Sequence, residues 1–178
     1  MKGNRQTVSH LSIALALFLG AAGASAVAAD VPDHAPTPDE AFVTAAMQGG
    51  LDEIELSRLA ARAAESPQVK DFAAQMLQEH TDSNAALASI AQGANIALPV
   101  APDSEHMQLR DKLAPLQGAE FDKGYVEAMR VDHQKMADLL ISASTSVGNE
   151  SLRKYIQKTL PVVQRHLRMA QDLKVGGQ

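Results

Sequence analysis

Three histidines and one glutamate form a pattern in this sequence that could bind a metal ion. His80, His133 and His166 lie in three separate segments, and Glu53 lies in a fourth. Each interrupts a series of apolar residues at steps of three and four, the spacing that places residues on one face of an α-helix. A buried ionisable side chain needs a hydrogen-bond partner, a counter-charge or a metal, because burial otherwise neutralises it. The four residues are therefore predicted to meet in one core.

The four segments have the period of amphipathic helices. The apolar series are Phe42, Ala46, Gly49, Leu56, Ala60 and Ala63 around Glu53; Val69, Ala73, Met76, Ser83, Leu87 and Ile90 around His80; Val126, Met129, Met136, Leu140, Ala143 and Val147 around His133; and Leu152, Ile156, Thr159, Val163, Ala170 and Leu173 around His166. We therefore predict long helices over about residues 37–65, 66–93, 119–147 and 150–173.

The connections between these helices predict the topology. Thr37-Pro38-Asp39-Glu40 has the composition of a capping box with a proline in the first turn, and Ser66-Pro67 repeats the cap and proline after almost no loop. Residues 93–118 contain three prolines and a short helical pattern over 104–113, which is long enough to return along a bundle. Two antiparallel hairpins joined by such a crossover predict an all-α, ferritin-like four-helix bundle.

The positions along the helices predict that the four side chains lie at one height. At 1.5 Å per residue, Glu53 and His80 both lie roughly 20 Å from the turn at Ser66. By the same measure His133 and His166 lie roughly 22 to 27 Å from the turn at Gly148. In helices about 40 Å long, all four positions fall near the middle.

The first residues predict export. Lys2 and Arg5 precede an apolar run over 11–22 and the small residues 24–28, which is the pattern of a secretory signal peptide with cleavage after Ala26 or Ala28. We expect a signal peptide over 1–28, a flexible leader over 29–36 and the bundle over 37–175, in a periplasmic or otherwise exported protein. The sequence contains no cysteine, so a disulfide and a cysteine-linked lipid anchor are excluded.

The charge argues against nucleic acid as a partner. The formal net charge is −5 and becomes −7 when Lys2 and Arg5 leave with the signal peptide. An acidic chain without a basic patch is a poor nucleic-acid binder. We expect no stable membrane span in the mature chain, and the sequence leaves a protein partner and the oligomeric state open.

The ligand types limit the metal chemistry. Imidazole nitrogens suit zinc, iron, copper or nickel, with Glu53 as a fourth ligand or as a partner of a ligand. A carboxylate-bridged di-iron site would need Glu-x-x-His pairs. Leu77, Arg130 and Val163 stand three residues before the histidines, so the sequence argues against that site.

Methionines open a further alternative. Met76, Met129, Met136 and Met169 stand three or four residues from the histidines, and thioethers there would favour copper(I), although methionine is also a common core residue. Without a metal, Glu53, Tyr125, Asp132 and the histidines would satisfy one another as a buried polar cluster.

Four segments resemble the exported bacterial family catalogued as domain of unknown function 4142, whose members are often labelled "predicted outer membrane protein". The resemblance implies a ferritin-like fold and places the family's acid at Glu53 and its histidines at His80, His133 and His166. It implies no established activity, and the label gains no support from this sequence. The matching segments are GGLDEIELSRLA (49–60), VKDFAAQMLQEH (69–80), GAEFDKGYVEAMRVDHQKM (118–136) and LPVVQRHLRMA (160–170).

Other polar residues receive structural interpretations. His106 lies on the crossover and is expected to be exposed. Asp52 is expected on the outer face of the first helix, in solvated ion pairs with Glu55, Arg58 and Arg62. Pro161 either kinks the fourth helix to aim His166 or bends it around the core.

The first functional interpretation is an exported, non-enzymatic bundle that binds a transition metal, in metal handling or envelope stress tolerance. A metal with an open coordination position would instead make a hydrolytic or redox enzyme, although no catalytic residue or organic cofactor site is indicated. A metal-free structural or protein-interaction module is the third interpretation.

Overall fold

A computed structural model describes residues 35–175 and contains five helices in that range. They are α1 (Pro38–Ala63), α2 (Pro67–Gly93), α3 (Ser104–Leu113), α4 (Gly118–Ser146) and α5 (Glu150–Asp172). The predicted signal peptide over 1–28 and residues 29–34 of the predicted leader lie outside the described residues. Within the described part of the chain, no helix combines the length and the apolar character needed to cross a membrane.

The architecture is the predicted all-α, ferritin-like four-helix bundle. The hairpin of α1 and α2 and the hairpin of α4 and α5 pack side by side, with α1 against α4 and α2 against α5. The segment from α2 to α4 runs the length of the bundle and carries α3, which packs on α1 and α4. Each long helix therefore presents one face to a common interior and α3 covers one of the grooves.

Local signals set the helix ends. Thr37 forms the predicted capping box, in which the Glu40 amide donates to Thr37 Oγ1 and the Thr37 amide donates to Glu40 Oε2. Ser66 caps α2 through a hydrogen bond from the Val69 amide. The helix α1 ends two residues earlier than expected, because the backbone is already extended at Ala64. The helix α5 continues through Pro161.

Gly50 allows α1 and α2 to approach each other closely. The helix α1 is continuous at this residue, and a Cβ atom at Gly50 would overlap the Asn84 side chain on α2. The close approach lies near Glu53.

The core has two apolar clusters, one towards each end of the bundle. One cluster contains Leu56, Met76, Met129 and Ala170, and the other contains Met47, Leu87, Ala137 and Val163 among others. In each long helix the ionisable residue of the sequence pattern falls between the members of the two clusters. We call Glu53, His80, His133 and His166 the histidine layer.

Two aspartates tie the hairpins together at opposite ends. Asp122 on α4 is buried and accepts hydrogen bonds from the amides of Glu65 and Ser66 in the α1–α2 turn, at 3.0 and 2.8 Å. Asp39 on α1 accepts from the amides of Gly148 and Asn149 in the α4–α5 turn, at 2.7 and 3.1 Å. These contacts fix the height of one hairpin relative to the other, and with it the alignment of the histidine layer.

Replacing Asp122 with alanine should lower the free energy of unfolding by about 1–3 kcal/mol, because two backbone donors lose a charged acceptor. Urea unfolding of the metal-free protein measures this loss. The exposed Asp71 on α2 provides the control, and Asp71→Ala should change the free energy by less than about 0.5 kcal/mol. Equal effects of the two substitutions would show that Asp122 does not hold the turn.

Candidate metal centre

The three histidine rings of the layer form a nearly equilateral triangle in the middle of the bundle. The ring centroids of His80, His133 and His166 are 5.3 to 5.5 Å apart. Each ring offers one nitrogen such that the three nitrogens lie within 4.8 Å of one another. The residues are 7%, 0% and 1% exposed, so the triangle is shielded from bulk water. The structure thus brings together the three histidines that the sequence predicted to meet.

Glu53 completes the layer from α1. Its Oε2 atom lies 2.5 Å from His80 Nε2, and its Oε1 atom lies 3.3 Å from His133 Nδ1. Glu53 is 2% exposed, so this carboxylate is buried against two imidazoles. All four predicted site residues therefore share one small volume.

Hydrogen bonds at the outer edges of two rings set their tautomers. His133 Nδ1 donates to the backbone carbonyl of Met129 at 2.8 Å, which leaves His133 Nε2 as a lone-pair acceptor. His166 Nε2 lies 2.9 Å from Glu79 Oε2 and 3.3 Å from Arg165 Nη2. The carboxylate is the nearer partner and only accepts, so this nitrogen carries the proton. His166 Nδ1 is then also a lone-pair acceptor. These two acceptors face each other at 3.3 Å.

The charges in the layer are unequally distributed. Burial raises the pKa of Glu53, but electrostatic attraction to the imidazoles of His133 and His80 and a hydrogen bond from His80 outweigh it and lower this pKa to about 2. Burial lowers the pKa of His80, but the attraction of Glu53 outweighs it, so the His80 pKa is raised. Glu53 and His80 therefore form an ion pair in the metal-free layer.

The other two rings are neutral in the metal-free layer. Burial lowers the pKa of His133 despite the charge of Glu53. Burial, together with the electrostatic effect of the neighbouring His133 and His80 imidazoles, lowers the pKa of His166 to about 4. Neutral imidazole is the form that binds metals, so these two rings are already in the ligand state at neutral pH.

Glu79 is part of the site although the sequence pattern did not identify it. It lies on α2 directly before His80, and besides His166 it contacts Arg165 Nη2 at 2.5 Å. Histidine ligands characteristically donate their second nitrogen to a carboxylate or a backbone carbonyl, which orients the ring. Glu79 and the Met129 carbonyl would have these two roles if His166 and His133 bound a metal. Glu79 is off the apolar series of α2, and no sequence signal connects it with α5.

The predicted positions of Asp52 and His106 are wrong. Asp52 is 1% exposed, since α3 covers the groove between α1 and α4 in which it lies. The side chain of His106, which α3 carries, is only 16% exposed. Asp52, His106 and Asp132 form a second group with one donor atom each within 4.8 Å of one another. We call these three residues the aspartate cluster.

Two groups that the metal-free interpretation placed with the histidines have other neighbours. Tyr125 shares a buried hydrogen bond of 3.1 Å with Ser57. Asp132 belongs to the aspartate cluster. Burial and the neighbouring charge of Asp132 raise the pKa of Asp52 to about 8, and burial and the charge of Glu53 raise that of Asp132 to about 6. The cluster thus places two carboxyl groups where ionisation is unfavourable.

The methionines near the histidines lie in the apolar core. Met76 and Met129 are fully buried members of the cluster at the α1–α2 turn, and Met169 packs against it. Met136 packs against the other cluster, with its methyl group close to Gly49. Core packing accounts for these contacts, and thioether binding of copper(I) stays a prediction.

Comparisons with known proteins identify a family and a fold. The sequence model of the family described as "Domain of unknown function (DUF4142)" matches residues 22–173. No curated protein matches the chain significantly in sequence. A structure described as secreted protein DUF305 from Streptomyces coelicolor is similar with a TM-score of 0.67 and 12% identity, over 80% of this chain and 98% of that one.

Two further similar structures are forms of one protein. CopM in the Cu(I)-bound form has a TM-score of 0.62 and 17% identity. CopM in the Ag-bound form, obtained by co-crystallization, has a TM-score of 0.61 and 19% identity. Each match covers 75% of this chain and 92% of that one. At these identities the similarity establishes the fold alone.

Proposed function

The chain belongs to the family described as domain of unknown function DUF4142, and we propose that it is an exported protein that binds one transition-metal ion in its histidine layer. The ligands are nitrogens of His80, His133 and His166, and Glu53 supplies a carboxylate beside them. The role is metal handling or tolerance of envelope stress. In the first case the metal is the cargo, and in the second it is an ion that stabilises the protein.

The facing lone pairs of His133 and His166 carry this proposal. Two nitrogen acceptors at 3.3 Å without a proton between them repel each other, and a bound cation would turn that repulsion into two coordinate bonds. Tetrahedral ligands about 2.1 Å from a metal ion lie about 3.4 Å from one another. The separation of the two nitrogens therefore fits a shared ion.

Two cavities border the histidine layer. The cavity that borders His80 measures about 20 Å³, which is room for about one water molecule, and it is not lined by the other three residues of the layer. A surface pocket of about 280 Å³ reaches Glu53 and offers an ion a path to the layer.

The metal is one that imidazole binds well. Zinc, copper and iron meet this condition. CopM, whose fold is similar, is described in Cu(I)-bound and Ag-bound forms, which supports Cu(I) as a probe beside Zn²⁺. Export is supported by the signal-peptide pattern of residues 1–28 and by the description of the similar DUF305 protein as secreted.

The ion pair of Glu53 and His80 favours the second candidate function. It satisfies part of the layer without a metal, as in a structural or protein-interaction module. The facing acceptors of His133 and His166 are not satisfied in this way, which is why metal binding ranks first.

Metal analysis of the chain, expressed with its own leader and without an affinity tag, tests the proposal. The protein should retain one equivalent of a transition metal, or take up one equivalent of Cu(I) under anaerobic conditions after treatment with a chelator. A chain that is isolated metal-free and binds neither Cu(I) nor Zn²⁺ in the histidine layer would leave the metal-free module as the function.

A further inference from the structure

The aspartate cluster is a second set of possible ligands, formed by side chains other than those of the histidine layer. Asp52 comes from α1, His106 from α3 and Asp132 from α4, and their donor atoms lie within 4.8 Å of one another. We propose that this cluster binds a second metal ion, a hard or borderline divalent cation of which Mn²⁺ is representative.

The burial of the two carboxyl groups is the main argument. Asp52 and Asp132 are 1% and 8% exposed. Their Oδ2 atoms are buried and have no hydrogen-bond partner within the described residues 35–175. Buried polar atoms in native proteins are normally paired, and an unpaired one needs an explanation such as a bound water or ion. Two unpaired carboxylate oxygens beside an imidazole indicate a cation.

The ligand types select a different class of metal from that of the histidine layer. Carboxylate oxygens suit Mg²⁺, Ca²⁺ and Mn²⁺, while imidazole suits zinc, copper, iron and nickel. A site with two carboxylates and one imidazole contains both types of ligand. This combination fits Mn²⁺ and excludes Cu(I) as the preferred ion. The two groups can therefore be occupied by different ions and measured separately.

The cluster is adjacent to the histidine layer but shares no residue with it. Asp52 precedes Glu53 on α1, and Asp132 precedes His133 on α4. Consecutive residues of an α-helix point about 100° apart, so each helix sends one side chain to the bundle interior and its neighbour towards α3. The inference does not depend on the proposed function of the layer.

An ion can reach the cluster from solvent. Asp132 and His106 line the surface pocket of about 280 Å³ that also reaches Glu53. Asp103, the cap of α3, adds a carboxylate whose Oδ1 lies 3.0 Å from His106 Nδ1. The one nearby lysine of this pocket, Lys135, is paired with Glu105 at 2.7 Å.

Occupancy of the cluster would attach α3 to the bundle. The helix α3 is short and belongs to the crossover, and its ligand His106 would be joined through the ion to α1 and α4. Hydrogen exchange of the α3 amides should therefore slow when the ion binds, because opening of this segment would break a coordinate bond.

Titration of the chelator-treated full chain with Mn²⁺, followed by the electron paramagnetic resonance signal of free Mn²⁺, tests the inference. Wild-type protein should bind one equivalent. Asp132→Asn and His106→Gln should each weaken Mn²⁺ binding by at least about 10-fold. Loss of a residue that only orients a metal ligand weakens binding by about 10- to 100-fold, and loss of the ligand itself should weaken it at least as much. Asp111→Asn, an exposed change on α3, and His80→Gln, a change in the histidine layer, should leave Mn²⁺ binding unchanged.

The His106→Gln variant also separates loss of Mn²⁺ binding from loss of the fold, because His106 lies outside the four-helix core. In this variant Mn²⁺ should no longer slow hydrogen exchange in α3. Failure of wild-type protein to bind Mn²⁺ would overturn the inference. Loss of Mn²⁺ binding in His80→Gln alone would assign the ion to the histidine layer, and would equally overturn it.

Discussion

Replacing His133 with glutamine is expected to weaken binding of Cu(I) or Zn²⁺ in the histidine layer by at least about 100-fold. Changes in residues that merely orient ligands weaken metal binding by about 10- to 100-fold, and loss of a ligand should exceed that range. His133 is fully buried, faces His166 at 3.3 Å and lies 3.3 Å from Glu53. Its removal therefore disrupts the layer on two sides. Competition with a chromophoric chelator measures the affinity.

Glutamine is chosen because it is polar and of similar length, so that the variant tests the imidazole more than the packing. Gln134→Ala, one position along the same helix on the exposed side, is the control and should bind metal as the wild-type protein does. Circular dichroism shows whether both variants remain helical. A folded His133→Gln protein with wild-type affinity would exclude this histidine as a ligand and remove the basis for a metal in the layer.

The fold was predictable because every level of the sequence indicated the same helices. Thr37 and Ser66 cap α1 and α2 where the sequence placed the caps, and the short helix of the crossover has the predicted bounds, Ser104–Leu113. The apolar series give the buried faces, so the convergence of His80, His133 and His166 followed from helix geometry alone. Capping signals and hydrophobic periodicity are sufficient to predict the fold when each helix contributes one apolar face to a single core.

The surroundings of the layer were not predictable in the same way. Glu79 is off the apolar series, and its contact with His166 depends on how α2 packs against α5. Asp52 lies off the apolar series of α1 and was therefore predicted to be exposed. Sequence periodicity alone cannot show that α3 covers the groove between α1 and α4. The pairing of His106 with two aspartates likewise depends on the path of the crossover, for which a single sequence carries no signal.

The two polar groups have opposite effects on a metal-free bundle. In the histidine layer, Glu53 and His80 compensate each other's charge. In the aspartate cluster, burial raises the pKa of both carboxyl groups, and the charge of Asp132 raises the pKa of Asp52 further. The layer therefore tolerates an empty state better than the cluster does, and the cluster is where removal of an ionisable carboxyl group should stabilise the protein.

Asp52→Asn is accordingly expected to stabilise the chelator-treated protein at pH 7 by about 1–4 kcal/mol, because each unit by which folding raises a carboxyl pKa costs up to about 1.4 kcal/mol once the pH is above the unfolded value. Burial and the charge of Asp132 raise the folded-state pKa of Asp52 from 3.8 to about 8. Above pH 3.8 the unfolded chain releases this proton while the folded chain retains it, so Asp52 lowers stability increasingly as the pH rises to about 8. Below pH 3.8 both states are protonated and this effect disappears.

The difference between the variant and the wild-type protein isolates Asp52 from the other titrating groups. Urea unfolding at pH 4, 5.5 and 7 should give a difference in free energy that is near zero at the lowest pH and grows towards neutrality. Asp71→Asn, an exposed change on α2, should give a small difference that does not grow. A constant difference for Asp52→Asn would mean that this carboxyl ionises normally in the folded chain. Mn²⁺ should reverse the order of stability at pH 7, because only the wild-type cluster retains both carboxylates to bind it.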